Sequence, residues 1–203
     1  MAIKPILFNS EMVRAILDGR KDATRRIVKG FIPDDAVWGY TAFTPKGYIS
    51  CRGTFADGYG EKFFKLPCEP GDILYVRETW KKALNGYYYY EAWQRNDIAD
   101  VTKWKPSIRM PKEAARIWLK VTNVRVERLQ EITDEQAKRE GIQYDECPTG
   151  FTWKQETDMH NCYTTPIGAM QALWNSTIKK SELDGYGWDA NPWVWTIEFE
   201  RCE

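Results

Sequence analysis

The chain has 203 residues, enough for one domain with a true hydrophobic core. Its 29 basic and 29 acidic residues cancel, which argues against a protein that coats nucleic acid non-specifically, since that needs a broad cationic surface. Five cysteines, no apolar leader and no run approaching the roughly 20 apolar residues of a membrane span predict a soluble, intracellular protein with free thiols.

In chain order, Ile6-Leu7-Phe8 reads as a first strand. Asn9 or Ser10 caps the helix that follows, and Met12, Val13, Ile16 and Leu17 recur at helical spacing. Gly19 ends it, as a residue free to turn left-handed does. The cluster Gly19-Arg20-Lys21-Asp22-Ala23-Thr24-Arg25-Arg26 leaves that helix end. A lysine crowded by cations loses proton affinity and can serve as a base or nucleophile. The competing reading is a solvated basic turn.

Residues 27–70 read as short strands and loops, with Tyr48-Ile49-Ser50-Cys51 the best strand. Glu69-Pro70-Gly71-Asp72 is a turn before the strand Ile73–Val76. Arg77-Glu78-Thr79-Trp80 is either a polar site at a strand's end or a salt bridge under a tryptophan lid. Residues 81–105, rich in Tyr and Trp, form a hairpin or an irregular insertion, and Ser107 and Arg109 lie in an extended stretch between prolines. Ile117, Leu119 and Val121 alternate, then the parity switches to Val124 and Val126, so a bulge is predicted near Thr122-Asn123. A strand bent in this way suits a small barrel.

Thr133 and Gln136 make a capping box for a helix that Gly141 ends. Glu140 falls in its last turn, where the helix dipole disfavours a carboxylate, so it needs a cationic partner or a chemical task. The polar loop 143–164 holds Cys147, His160 and Cys162, which with Cys51 or Cys68 make a candidate zinc set without any paired Cys-x-x-Cys knuckle. No phosphate loop, dinucleotide fingerprint or nucleophile elbow occurs, so no cofactor is expected. Thr165 and Pro166 start a third helix that buries Met170, Leu173 and Trp174. Gly185–Trp188 and Asn191-Pro192 read as a flexible aromatic loop. The last strand puts Trp193, Trp195, Ile197 and Phe199 on one face and Glu198 and Glu200 on the other, half exposed. The outline is one α+β domain.

Together these residues resemble the ASCH family, of the PUA-like superfamily. The likeness rests on Gly19-Arg20-Lys21 with Thr24, on Pro70-Gly71-Asp72, on Ile132 through Gly141, and on the closing strand Trp193–Phe199. The longer pattern, Val76–Trp80 and Ala190–Trp195, looks like ASCH-like proteins of bacteriophages and prophages. The resemblance implies a small mixed β-barrel with about three helices, insertions near 31–65, 81–105 and 143–164, and a cytoplasmic location in a bacterial host. One branch of the family hydrolyses N4-acetylcytidine with a Lys, Thr, Glu trio; the matching residues are Lys21, Thr24 and Glu140. On that pattern Lys21 takes a proton from Thr24 or water, Glu140 serves the leaving amine, and Arg26 or a backbone N–H holds the oxyanion. Arg20, Arg25, Arg26, Arg77, Glu78, Trp80, Ser107, Arg109, Trp188 and Asn191 are the residues expected around the substrate. Asp22 stands where the family often has a second Thr, and beside Lys21 it is expected to raise that lysine's pKa. The implied partner is a modified nucleoside or single-stranded RNA, with no membrane. Rival readings are an RNA-binding module in which Trp80 or Trp188 stacks a base, an ASCH-type ribonuclease, and a phage assembly or host-interaction protein.

Overall fold

The computed structural model describes residues 1–94, 103–144, 150–152 and 162–202. Strand β1 (Ile3–Leu7) runs into helix α1 (Ser10–Leu17), whose start is fixed by the Asn9 side chain accepting a hydrogen bond from the Met12 N–H. Next come β2 (Ala23–Ile27), β3 (Val37–Gly39), β4 (Tyr48–Phe55), β5 (Gly58–Lys65) and β6 (Ile73–Arg77). A hairpin, β7 (Trp80–Ala83) and β8 (Gly86–Tyr89), leads to α2 (Tyr90–Gln94). Then follow β9 (Trp118–Arg128), α3 (Asp134–Arg139), β10 (Gln143–Tyr144) and β11 (Phe151–Thr152). Helices α4 (Pro166–Thr177) and α5 (Leu183–Tyr186) precede β12 (Trp193–Arg201).

The main sheet has the order β1-β6-β9-β12-β2. β1 and β6 are parallel, and the remaining pairs are antiparallel. β1 and β2 are open edges, so the α+β class holds but this sheet is not closed into a barrel. Five α-helices lie among the described residues, against an expected three, because α2 and α5 are too short to leave a periodic signal. β3, β4 and β5 make a separate three-stranded sheet in the region read as short strands and loops. No helix among the described residues is long and apolar enough to cross a membrane.

The parity switch in β9 is a bulge. Glu198 faces Asn123 and Phe199 faces Val121, leaving Thr122 unmatched. β12 differs from the half-exposed strand expected. Trp195, Ile197 and Phe199 enter a core with Val13, Leu74 and Leu119, while Val194 on the opposite face enters a second core with Ala137, Leu173 and Trp188. Residues from α3 and α4 thus cover the face that alternation assigned to solvent.

The same second core corrects the loop at 185–192. Residues 183–186 are helical, and Trp188 is buried. Ser107–Arg109 is a 3₁₀ turn rather than an extended run. Cys162 is disulfide-bonded, whereas Cys51, Cys68 and Cys202 are free, so the expectation of free thiols throughout fails. Burial pushes the Cys51 and Cys68 thiols up to about 11, which keeps them protonated and poor as metal ligands. Cys147 and His160 lie outside the described residues.

Candidate active site

The basic cluster leaves an exposed turn at Gly19, but Lys21, Thr24 and Arg25 are buried rather than solvated. Gly19, at φ 73, ends α1, and the chain enters β2 at the edge of the main sheet. Lys21 forms a two-residue antiparallel bridge with Glu140, the residue capping the C-terminus of α3. Gly141, at φ 103, lets the chain pass so close to α1 that a Cβ there would stand 3.0 Å from the Ala15 Cβ. The Asp22 N–H donates to the Arg139 carbonyl at 3.1 Å, and the bridge brings together Lys21 and Glu140, 119 positions apart.

The Lys21 side chain is fully buried. Its amine donates to Glu140 Oε2 at 2.8 Å, to the Glu140 carbonyl at 2.9 Å and to the Ala23 carbonyl at 2.8 Å. Three acceptors satisfy three N–H bonds, so the resting species is an ammonium, and it also caps a carbonyl left open at the end of α3. Burial lowers the Lys21 pKa; Glu140 offsets part of this, while Arg26 and Arg25 add to the lowering. Asp22 points the other way along the strand and pairs with Arg139 at 2.8 Å, so its carboxylate is engaged there rather than in contact with Lys21.

Glu140 is the shared anion. Oε2 faces Lys21, and Oε1 accepts from Arg25 NH1 at 3.1 Å. Arg25 is itself buried and also reaches Glu127 and Gln136. It is a structural partner of Glu140 rather than a group free to grip a substrate. Glu127 further accepts from Thr196 at 2.8 Å and from Arg125 at 2.8 Å. Burial pushes the Glu127 carboxyl up, but Thr196, Arg25 and Arg125 outweigh it and hold it below the usual carboxylate range.

Thr24 is buried next to this pair, and its hydroxyl oxygen accepts from Arg26 NH1 at 3.0 Å. Arg26 is fixed by the carbonyls of Arg25 and Leu7, each at 3.0 Å. One lone pair of the threonine oxygen is thereby occupied, and its proton remains to be given away. A small cleft of about 60 Å³ opens here. Thr24, Arg25, Arg26 and Glu140 form its polar side, and Met12, Met170, Leu173 and Trp174 its apolar side. Half-buried Arg26 and exposed Thr177 mark the rim. Lys21 stands behind the wall, hidden by Glu140.

The remaining predicted residues lie elsewhere. Arg20 binds the Gly141 carbonyl and Asp18, and lines a separate cleft of about 630 Å³ with Arg139, Tyr144 and Phe151. Glu78 is buried and takes both carboxylate bonds from Arg116, at 2.8 Å each, so the salt bridge exists but its cation is not Arg77. Arg77 points away to the Tyr75 hydroxyl and the Ile108 carbonyl. Trp80 and Trp188 are buried, and Trp188 lines a further cleft of about 370 Å³ with Asn175 and Leu183. Asn191 receives the Gln130 N–H on its side chain, at the backbone angle φ 44. Ser107 is half-buried and Arg109 exposed, on the turn that leads to Met110. Sequence reading missed Gln136, Glu127, Arg125 and the apolar wall from α4. The alternation of Arg125 and Glu127 with Val124 and Val126 was the available signal of a charged strand face. Among the described residues no group of three or more metal-ligating side chains gathers.

No protein-family model, no curated protein and no solved structure matches the chain.

Proposed function

We propose that the protein is an amidohydrolase that removes an acyl group from the exocyclic amine of a modified nucleoside, N4-acetylcytidine being the reference substrate. The observation that carries this reading is the convergence of Lys21, Glu140 and Thr24: a buried amine in contact with a carboxylate, and that carboxylate sharing a cleft wall with a hydroxyl whose oxygen is held by a guanidinium. The ASCH resemblance names the same trio, and a cytoplasmic, phage- or prophage-encoded protein is part of the reading.

The chemistry runs as follows. Burial loosens the hold of Lys21 on its third proton, and Glu140 Oε2 is the acceptor 2.8 Å away. Transfer along that bond yields a neutral amine and a carboxylic acid, one base and one acid. As the Thr24 oxygen bonds to the acyl carbon, its proton passes, directly or through one water, to the Glu140 carboxyl in the shared cleft wall, and Glu140 returns the proton it holds on Oε2 to the Lys21 amine behind it. Arg26 faces the developing oxyanion. Collapse breaks the carbon–nitrogen bond, and Glu140 gives its proton to the departing amine. The ammonium and the carboxylate are thereby restored, and water then hydrolyses the acyl-threonine to free acid and Thr24.

The test is incubation with N4-acetylcytidine, following cytidine and acetate. Wild type should release both, while Thr24→Val and Lys21→Met should each lose at least a hundredfold in rate, in line with general-base and nucleophile removal. No cytidine from wild type, or Thr24→Val as active as wild type, refutes the proposal.

A further inference from the structure

The cleft at Thr24 is too small for a nucleoside. Pockets that enclose a whole small ligand run to roughly 300–1,000 Å³, and this one holds about 60 Å³. At roughly 10–15 Å³ of such space per water molecule, that is the room of only a handful of waters. Met12, Met170, Leu173 and Trp174 supply its apolar lining, and Thr24, Arg25, Arg26 and Glu140 its polar lining. Leu173 and Trp174 are buried in the second core, so α4 presents a fixed wall rather than a loose flap. The rim between Arg26 and Thr177 is the outer limit.

We infer that this cleft receives the acyl group alone, and that Leu173, with Met170 and Trp174, restricts the substrate class to short acyl chains while the base stays outside the rim. The inference rests on the amidohydrolase reading and deepens it. The methyl end of an acetyl group lies on the apolar side, its carbonyl carbon beside Thr24 and its oxygen toward Arg26. Selection then falls on acyl length. The pyrimidine contributes only what it touches at the rim, so other exocyclic or exposed primary amines bearing an acetyl group are substrates of the same class. A pocket that merely lacks room for extra methylenes discriminates by about tenfold or more for each step it must exclude.

The experiment has two readouts on N4-acetyl-, N4-butyryl- and N4-benzoylcytidine. Turnover is measured with wild type, and affinity by calorimetry with Thr24→Val, which keeps the side chain's shape and lacks the nucleophile. The same pair is repeated with Leu173→Ala added, each variant first checked for a cooperative melt. Expected is at least a tenfold preference for acetyl over benzoyl in both readouts, reduced to about threefold or less by Leu173→Ala. Graded binding without turnover supports the acyl pocket and sinks hydrolysis. Turnover that varies less than threefold with acyl length overturns the acyl pocket and leaves hydrolysis standing. Neither turnover nor length-dependent affinity overturns both. A Leu173→Ala variant that lowers every substrate equally, without changing the ratio, also overturns the pocket.

Discussion

Replacing Glu140 by Gln gives the sharpest physical test of the site, because it removes one charge from a place with almost no water. Glu140 is 3% exposed, Lys21 0% and Arg25 1%. Arg25 keeps Glu127 and Gln136, so its loss is partial. Lys21 keeps only two carbonyls and an amide oxygen, and its ammonium has no counter-charge in contact. Breaking a buried pair from one side costs roughly 3–5 kcal/mol, and at ~2–4 °C per kcal/mol for a chain of this size the melting temperature falls by about 6–20 °C. The pH dependence identifies the cause. Burial already holds Lys21 below its ordinary 10.5, and Glu140 is the largest influence raising it. Without Glu140 the folded pKa drops further, the unfolded chain binds the proton more readily, and stability rises with pH up to the ordinary value. The deficit of Glu140→Gln against wild type therefore shrinks between neutral pH and about pH 10. Thermal and urea melts at pH 7 and about pH 9.5 measure it. The double variant Lys21→Met/Glu140→Leu should recover most of the loss, since a hydrophobic pair replaces an ionic one at little cost. A deficit under about 1 kcal/mol, or one equal at both pH values, refutes a charged and solvent-free Lys21.

Arg116→Met should cost about 3 kcal/mol at neutral pH, because Glu78 and Glu91 are each 2% exposed and both lean on that guanidinium. Burial already raises the Glu78 pKa, so this variant should melt higher at pH 5 than at pH 8, and a melt flat in pH would refute the assignment. Gly141→Ala forces a side chain into the left-handed region at φ 103 and toward Ala15; a loss of at least ~1–2 kcal/mol is expected in denaturant melts, and an unchanged midpoint would mean the bridge at Lys21 tolerates displacement. At the acid end, Glu127 and Glu198 are held below the usual 4.5 despite burial, by Thr196, Arg25, Arg125 and Arg139. Their stabilisation is complete above that value and is lost as pH falls through the lowered values, so Glu127→Gln should flatten the stability curve below about pH 4.5.

Local chemistry was legible wherever a residue's partner lies within one turn. The Asn9 cap, the Thr133–Gln136 capping box and the Thr165 cap all occur as their spacing required. So does the bulge at Thr122, because a change of parity is written in the strand itself. The need of Glu140 for a cation was legible too, from its place at a helix C-terminus. What sequence could not give was the far partner. Arg25 looks like part of a solvated charge run until Glu140, 115 residues away, and Glu127, 102 residues away, arrive beside it. Glu78 was read with its neighbour Arg77, yet adjacent strand residues face opposite ways, and Arg116 is the true partner. Trp188 sits among glycines, which reads as a loop. It is buried because α4 brings a second core that no local pattern announces.

The charges around Lys21 also explain why such a costly arrangement holds together. Lys21, Glu140, Arg25, Glu127, Arg125, Glu198, Arg139 and Asp22 are linked in that order by contacts of alternating sign. The chain of pairs returns to its start, because Asp22 follows Lys21 and Arg139 precedes Glu140 in sequence. Four cations and four anions leave it neutral as a whole, which is what permits burial of its inner members. Neutrality has a second consequence. A proton passing from Lys21 to Glu140 cancels one cation and one anion at once and leaves no uncompensated charge, with Arg25 still facing Glu127. Apolar residues of similar volume would pack the same space without any desolvation cost. A stable fold alone therefore does not require these charges, whereas the proposed reaction, which draws a base and an acid from a single buried contact, does.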